Sequence, residues 1–267
     1  MDLKKFETAQ LADPGDGRTV SSVHKAKTGK VSNKWSSYLP YYDQLFEPIK
    51  NDEVCLLEIG VQNGGSLETW AAYFKNARRI IGCDIDSRCA NLAFEDNRIR
   101  VLVENANSDM GFSQIAKEAP YDVIIDDGSH LSEDIIISFL NYFQFVSPGG
   151  TFVVEDTHAV YQRQSSSIHN RANAFGFFKD LTDLINLQFW YRDKDLADIF
   201  STYLTAPPPA WLYHGWIESI EFRNSIITIK KSLVPDNNKL GFMQVTGNIA
   251  EVDPEPLRVK ELIARRV

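Results

Sequence analysis

The sequence has few cysteines and no long apolar run, and both absences limit what the chain can be. Its three cysteines, Cys55, Cys83 and Cys89, cannot all pair with one another, which argues against the disulfide framework of a secreted protein. No run of about eighteen apolar residues is present, as a membrane-spanning helix requires, and the first residues lack the apolar core of a secretion signal. We therefore expect no membrane span and a cytoplasmic location.

Positive charge is also scarce. The chain carries 28 Lys and Arg against 36 Asp and Glu, which gives a formal net charge of −8. An acidic chain repels phosphate backbones and anionic lipid at long range. The nearest approach to a basic patch, residues 24–34, is typical of a solvated segment. We therefore expect no nucleic-acid partner.

The length and apolar content predict one sizeable domain. The 267 residues, 43% of them hydrophobic, suffice to bury a core. Residues 1–33 are polar and show no helical or strand period, so they are predicted to be a flexible N-terminal segment and a possible lid. Residues 34–267 are expected to form the domain, which begins with an amphipathic helix over 35–46. Within it, residues 161–215 are predicted to be an insertion that shapes the acceptor pocket.

Short apolar runs alternate with segments of helical period. The runs that predict strands lie at 54–61, 79–85, 99–103, 121–126 and 151–154, and a terminal pair lies at 217–222 and 226–230. Strands that alternate with helices indicate βαβ units. The predicted fold is therefore α/β, with a doubly wound, mainly parallel, Rossmann-like sheet of seven strands that ends in an antiparallel hairpin. Ser132 is predicted to cap the helix after the fourth strand, and Pro148, Gly149 and Gly150 to end that helix.

A glycine-rich turn follows the first predicted strand. Gly60, Gly64 and Gly65 lie between Glu58 and Ser66, directly before a helical pattern. Glycines at such a turn let the backbone approach a ligand closely. The spacing differs from the dinucleotide-binding G-x-G-x-x-G, and the Lys-Ser/Thr pair of a P-loop is absent. The acidic residue before the turn favours a cationic ligand or an amine over a pyrophosphate.

An acidic residue, Asp84, also ends the second predicted strand. In doubly wound folds a carboxylate at this position accepts hydrogen bonds from a ribose diol. Together with Glu58 and the glycine turn, it resembles the S-adenosylmethionine (SAM) site of class I methyltransferases. The residues that this resemblance implies for cofactor binding are Glu58, Gly60, Gly64, Ser66, Asp84, Asn107, Ser108 and Asp126.

Carboxylates cluster at the ends of the fourth and fifth predicted strands. Asp126 and Asp127 end one strand, and Glu155 and Asp156 end the next. Parallel strands bring such residues to the same edge of the sheet, where the charges repel unless a cation lies between them. Oxygen ligands suit Mg²⁺, Ca²⁺ or Mn²⁺, and no cysteine completes a zinc set. The alternative is that these acids cap the following helices.

Five motifs together resemble the macrocin and mycinamicin type of sugar O-methyltransferases. They are LEIGVQNGGSLETW, GCDID, DVIIDDGSH, PGGTFVVEDTH and, before them, NKWSSYLPYYDQLF. This metal-dependent class I family modifies deoxysugars of natural products. The resemblance implies that Asp127, Glu155 and Asp156 bind Mg²⁺, or another hard divalent cation, and that His130 is the catalytic base.

The remaining histidines are interpreted more plainly. His24, His169 and His214 are expected to be structural. For His158 two interpretations stay open, because it either lines the pocket or merely ends the strand.

The resulting functional hypothesis is SAM- and metal-dependent O-methylation of a sugar hydroxyl, on a glycosylated natural product or a saccharide. A bound cation acidifies the hydroxyl, and His130 accepts its proton. One alternative is a catechol or phenol acceptor, for which a lysine is often the base, and no lysine adjoins these motifs in the sequence. Another is a non-catalytic metal-binding α/β module. The aromatic residues of 211–216 could serve a pocket or a contact in a homo-oligomer.

Overall fold

One mixed sheet organises the protein. The computed structural model describes residues 17–162, 173–190, 195–235 and 243–264, and within these ranges seven strands form the sheet. The strands are β1 (Cys55–Ile59), β2 (Arg79–Asp84), β3 (Ile99–Val103), β4 (Tyr121–Asp126), β5 (Val146–Val154), β6 (Ile217–Arg223) and β7 (Ile226–Lys231). Their order is β3-β2-β1-β4-β5-β7-β6. The first five run parallel, and β7 is antiparallel to both β5 and β6, so the predicted fold class is confirmed.

Helices cover both faces of the sheet. In the described ranges they are α1 (Val20–Ala26), α2 (Tyr38–Phe46), α3 (Gly65–Tyr73), α4 (Asp109–Lys117), α5 (Ser132–Tyr142), α6 (Ala159–Gln162), α7 (Ala174–Leu181), α8 (Leu196–Phe200) and α9 (Glu255–Ala264). No helix in these ranges is both long and apolar enough to cross a membrane.

The sheet is buried on both sides because successive strand residues point to opposite faces. On one face, Leu56 of β1 belongs to a cluster with Tyr42 and Trp70, whose rings meet edge-on at 5.2 Å. On the other face, Leu57 shares a cluster with Phe139 of α5, which also packs against the rings of α7. These two layers fix the strand ends that carry the acidic residues.

Helix α1 lies in the part of the chain expected to lack regular structure. Thr19 and Ser22 form a reciprocal capping box, since each side-chain oxygen accepts a hydrogen bond from the other residue's backbone N–H. Ser21 donates to a carboxylate oxygen of Asp43 in α2, and Val20 is fully buried. A short helix with one buried residue gives no hydrophobic period, so the pattern could not reveal it. Residues 1–16 of the predicted lid lie outside the described ranges.

Two local predictions near β5 are wrong. Ser132 is the first residue of α5 rather than its N-cap, a position that Leu131 occupies without a side-chain cap. Residues 148–150 lie inside β5, which begins at Val146 after a short 3₁₀ turn. The β4–β5 register shifts between Tyr121 and Val123, and such an irregularity accommodates a proline that cannot donate to the ladder.

The aromatic segment near residue 211 packs largely within the protein. The Trp211 ring lies 5.3 Å from the Phe143 ring, and Lys231 Nζ lies 4.8 Å from the centre of the Trp216 ring. Tyr213 is the more exposed member, with 43% of its surface accessible. A homo-oligomer remains a prediction.

Candidate active site

A cavity of about 620 Å³ lies at the carboxyl edge of the parallel strands, where open α/β folds bind ligands. Most residues predicted for the site line it, namely Gly60, Ser66, Asp84, Asn107, Asp126, Asp127, His130, Glu155 and Asp156. Residues 31–35 form a further part of the wall. The structure therefore brings together side chains that are more than a hundred positions apart in the sequence.

Three predicted cofactor-binding residues, Glu58, Gly64 and Ser108, lie outside the cavity wall. Glu58 is fully buried behind it and accepts a hydrogen bond from Ser66 Oγ at 2.6 Å. Burial raises the pKa of the Glu58 carboxyl, an effect that nearby Lys34 opposes. Ser108 caps α4, and Gly64 precedes α3 in the left-handed conformation. A direct cofactor contact from these residues stays a prediction.

The glycine turn makes room for the chain itself. Gly60 has a φ of +92°, and a Cβ atom there would lie 2.1 Å from the backbone oxygen of Asp127. At Gly65 a Cβ atom would lie 2.2 Å from the backbone oxygen of Val31. Both spacings are far below van der Waals contact, so these glycines let the loop after β4 and the N-terminal segment reach the turn.

Asp84 holds the same turn from the end of β2. Its Oδ2 accepts hydrogen bonds from the backbone N–H groups of Val61 and Gln62, at 2.7 and 2.8 Å. Its Oδ1 accepts a third from Asp86 at 2.8 Å. Each carboxylate oxygen has two lone pairs, so these bonds leave acceptor capacity for a ribose hydroxyl.

Two groups in the wall suit a nucleoside-bearing ligand. Asn107 Oδ1 is buried and accepts no hydrogen bond from the residues that the structure describes, whereas its amide donates to the backbone oxygen of Asp134. A buried polar atom without a partner is costly until a ligand satisfies it. Burial also raises the pKa of Asp126 to about 7, and the charge of Asp127 adds to the rise. The cavity therefore fits SAM in volume and in hydrogen-bonding chemistry.

Asp127, His130 and Asp156 meet on the wall of the same cavity. Each offers a potential metal-ligand atom, and these atoms lie within 4.8 Å of one another. His130 Nε2 is 3.7 Å from Asp156 Oδ2. His130 and Asp156 have φ values of 56° and 54°, in the left-handed region that non-glycine residues rarely adopt. Asp156 Oδ1 accepts hydrogen bonds from Tyr38 OH at 2.7 Å and from Trp35 Nε1 at 3.0 Å.

This group fits a hard divalent cation. Carboxylate oxygens are the ligands that Mg²⁺ and Mn²⁺ prefer, and both carboxylates lie on the wall of an open cavity. Glu155, the third ligand implied by the resemblance, lies outside the group of three. Its Oε1 accepts a hydrogen bond from Tyr42 OH at 2.6 Å, so its other oxygen is the one that could serve a metal.

Lys34 is a site residue that the sequence analysis missed. Its Nζ donates to Asp127 Oδ2 at 2.6 Å and to Glu155 Oε1 at 2.7 Å, and it lies 3.5 Å from Glu58 Oε1. The Lys34 side chain is 5% exposed. Burial alone lowers the pKa of its ammonium group, but Glu155, Asp127 and Glu58 raise it well above the ordinary value.

The expectation that no lysine adjoins the strand-end motifs is therefore wrong in three dimensions. Lys34 contacts these motifs although it lies 93 residues before Asp127 and 121 residues before Glu155 in the chain. The signal available was its place near the start of the NKWSSYLPYYDQLF motif, which continues into α2. Because the carboxylates hold it in the charged form, Lys34 is unsuited to act as a base.

His158 belongs to the packing beside the site. Its Nδ1 is hydrogen-bonded to Ser225 Oγ, and its ring meets the Trp35 ring edge-on at 5.6 Å. His158 is absent from the cavity wall. Of the two interpretations left open, the structural one fits these contacts.

The predicted acceptor-binding insertion does not reach this cavity in the part that the structure describes. No described residue of 161–215 lines the wall, and α7 packs instead against Phe139 of α5 through Phe177 and Phe178. Residues 163–172, which include His169, and 191–194 lie outside the described ranges. A role of this segment in acceptor binding stays a prediction.

Comparisons with known proteins find similarity to methyltransferases. Residues 57–157 match a family model described as a methyltransferase domain. Demethylmacrocin O-methyltransferase from Streptomyces fradiae is 36% identical over 142 residues, which are 49% of this chain and 35% of that protein. A tetracenomycin 3'-O-methyltransferase from Streptomyces olivaceus, which acts on a 2-methoxy-rhamnosyl compound by its name, is 30% identical over 209 residues, 72% of this chain and 51% of that protein. The chain thus spans about half or less of the length of these relatives.

A solved structure shares the fold. The methyltransferase MycE of the mycinamycin biosynthetic pathway, in complex with Mg, SAH and mycinamycin VI, superposes with a TM-score of 0.63 at 24% identity. The match covers 86% of this chain and 57% of MycE. At this identity the likeness shows the fold alone.

Proposed function

We propose that this chain, whose residues 57–157 match a methyltransferase-domain model, transfers a methyl group from SAM to a sugar hydroxyl with the help of a divalent cation such as Mg²⁺. The observation that carries the proposal is the meeting of Asp127, His130 and Asp156 on the wall of the cavity. The curated relatives, named as O-methyltransferases of glycosylated compounds, support it. Because the chain spans about half or less of their length, both the activity and the acceptor belong to the proposal.

The cavity between the glycine turn and the ends of β2, β3 and β4 is the proposed cofactor site. Asp84 is assigned to the ribose, as in other doubly wound folds. Asn107 and Asp126 are assigned to the nucleoside, because both present buried polar atoms to the cavity. Bound SAM supplies an electrophilic methyl group on a cationic sulfonium, and an acidic wall attracts such a cation.

Asp127 and Asp156 are the proposed metal ligands, with Glu155 as a third through Oε2, the oxygen that does not accept from Lys34 or Tyr42. A bound divalent cation lowers the pKa of a coordinated hydroxyl. Tyr38 and Trp35 fix the orientation of the Asp156 carboxylate through two hydrogen bonds. Outer contacts of this kind orient metal ligands and tune their affinity.

His130 is the proposed general base. Its side chain lies on the cavity wall and is about a quarter exposed. A neutral imidazole nitrogen accepts the hydroxyl proton while the oxygen attacks the methyl carbon and the carbon–sulfur bond breaks. Asp156, 3.7 Å from His130 Nε2, then stabilises the imidazolium.

A sugar acceptor is favoured over a phenol because His130 is available as the base. Lys34, the lysine beside the acidic residues, directs its ammonium group at carboxylates rather than at the open cavity. The other alternative, a non-catalytic metal-binding module, can be tested by measuring whether the protein binds the cofactor product.

The test is calorimetric titration with S-adenosylhomocysteine, once with Mg²⁺ and once after chelation, in the wild type and in Asp156→Asn. Asn accepts the same hydrogen bonds and tolerates the left-handed φ at this position. We expect both proteins to bind S-adenosylhomocysteine with micromolar affinity. In a separate Mn²⁺ titration, the affinity of the variant should be at least about tenfold lower than that of the wild type. Labelled SAM with methyl glycosides and with catechol then separates the acceptors. An absence of S-adenosylhomocysteine binding in both conditions would refute the proposal.

A further inference from the structure

Lys34 occupies a position where a buried cation is needed. Its three carboxylate neighbours come from three elements: Glu58 from β1, Asp127 from the loop after β4 and Glu155 from the end of β5. Glu58 and Glu155 are at most 2% exposed, so water does not screen them. Buried carboxylates that lack a counter-charge strongly destabilise a fold. The ammonium group supplies that counter-charge from within the chain.

The segment that carries Lys34 is anchored on both sides of it. Lys27 Nζ donates to Glu68 Oε2 of α3 at 2.5 Å, and the backbone N–H of Lys30 donates to the same oxygen at 2.8 Å. Beyond Lys34, Trp35 donates to Asp156. These anchors hold the ammonium at the carboxylates with a high effective concentration.

We propose that Lys34 is a resident counter-ion of the acidic edge. It allows this edge to fold in the absence of a metal, and it weakens divalent-cation binding, because the ammonium and the metal both draw on Asp127. The second half rests on the divalent site of the proposed function. Lys34 is a positioning residue here, since its contacts are with the chain's own carboxylates.

The charge arithmetic gives the direction of both effects. Glu58, Asp127 and Glu155 carry three formal negative charges, and Lys34 returns one positive charge. Without Lys34, mutual repulsion destabilises the metal-free state. The same excess of negative charge, no longer shared with an ammonium group, attracts a divalent cation more strongly.

Lys34→Met tests the proposal, because it keeps the length of the apolar stem and removes the charge. In EDTA the variant should unfold roughly 10 °C below the wild type, and Mg²⁺ should restore most of the difference. Its Mn²⁺ affinity, measured by electron paramagnetic resonance, should be roughly tenfold higher than that of the wild type. Lys50→Met is the matched control, since the Lys50 side chain is 6% exposed and pairs with Glu47 instead. Its Mn²⁺ affinity should equal that of the wild type.

Two further variants keep the test decisive if Lys34→Met fails to fold. Lys34→Arg retains the charge and should keep wild-type stability in EDTA. The double variant Lys34→Met with Glu58→Gln removes one buried charge of each sign and should regain stability in EDTA. Unchanged stability of Lys34→Met in EDTA, or weaker Mn²⁺ binding, overturns the proposal. If the wild type binds no Mn²⁺, the metal part of the proposed function fails, and the EDTA measurements alone decide whether Lys34 is the counter-ion.

Discussion

His130 is the residue whose role can be tested most directly. It lies on the cavity wall close to Asp156, while its neighbours in the wall are acidic. We expect His130→Ala to lower the rate of methyl transfer by roughly 10²–10⁴-fold, because the hydroxyl proton loses its acceptor. Affinity for S-adenosylhomocysteine should stay unchanged. Single-turnover transfer from labelled SAM measures the rate, and calorimetry measures the affinity.

The control for this variant is His158→Ala. His158 itself is not part of the cavity wall, although it contacts Ser225 and the Trp35 ring, so its loss should leave the transfer rate within a few-fold of the wild type. Full activity of His130→Ala would remove this residue from the mechanism. A large loss in His158→Ala alone would reassign the base.

Glu68 ties the N-terminal segment to α3 in a pH-dependent way. Burial raises the pKa of its carboxyl, but hydrogen bonds from Lys27 and from the backbone of Lys30 outweigh this and lower the pKa below the ordinary value. An acid whose folded pKa is depressed adds stability above its unfolded pKa, about 4.3, and loses it as the pH falls through the folded value. Glu68→Gln should therefore lower the free energy of unfolding by about 1 kcal/mol at pH 6, a value reduced for partial exposure.

The pH profile is the decisive part of this prediction. Denaturant unfolding of the wild type and of Glu68→Gln should give curves that converge as the pH falls through the lowered pKa of folded Glu68, below which both side chains are neutral. A stability difference that persisted unchanged to pH 3 would show that the effect is steric rather than electrostatic.

At the scale of elements, the glycine turn and the loop after β4 are interlocked. An alanine Cβ at position 60 would lie 2.1 Å from the Asp127 carbonyl oxygen and would adopt an unfavourable positive φ. We expect Gly60→Ala to destabilise the protein by about 3 kcal/mol and to weaken Mn²⁺ binding, because the loop that carries Asp127 must shift. Thermal unfolding and Mn²⁺ titration measure both effects.

Gly247→Ala is the matched control for the turn. Gly247 has a φ of +78°, yet no atom of the described residues lies within 4 Å of the added Cβ. Gly247→Ala should lower the free energy of unfolding by only about 1 kcal/mol, the cost of a positive φ at a residue with a side chain. Its Mn²⁺ binding should be unchanged. Equal losses in the two variants would show that positive φ alone explains the effect at position 60.

The elements predicted correctly from the sequence were those with a clear hydrophobic pattern, either a continuous apolar run or a helical period. The runs at 54–61, 79–85 and 121–126 became β1, β2 and β4, because buried parallel strands are continuously apolar. Helix α1 and the early start of β5 escaped prediction. The first has a single buried residue, and the second contains a proline, so in neither case did local pattern report the tertiary contacts.

For the whole molecule, the sequence predicted the site best where reactive side chains directly follow a strand. Asp127, Glu155 and Asp156 were predicted to meet because parallel strands share an edge. The structure groups Asp127 and Asp156 with His130, whereas Glu155 lies outside that group. Lys34 could not be placed in this way, since its partners lie far along the chain and no periodicity links them. The resemblance inferred from the motifs is confirmed by the matched domain and relatives, whereas the base and the cytoplasmic location remain predictions.

The long-range hydrogen bonds of α2 also determine when this helix can dock during synthesis of the chain. Tyr38 OH donates to Ser225 Oγ and Tyr41 OH to Thr228 Oγ1, pairs that are 187 residues apart. At 5–20 residues per second, a ribosome needs roughly 10–40 s to make the second partner after the first. Throughout that interval α2 has emerged, but its anchors have not. Helix α2 is thus among the last elements to dock, and during translation its aromatic side chains lack these partners.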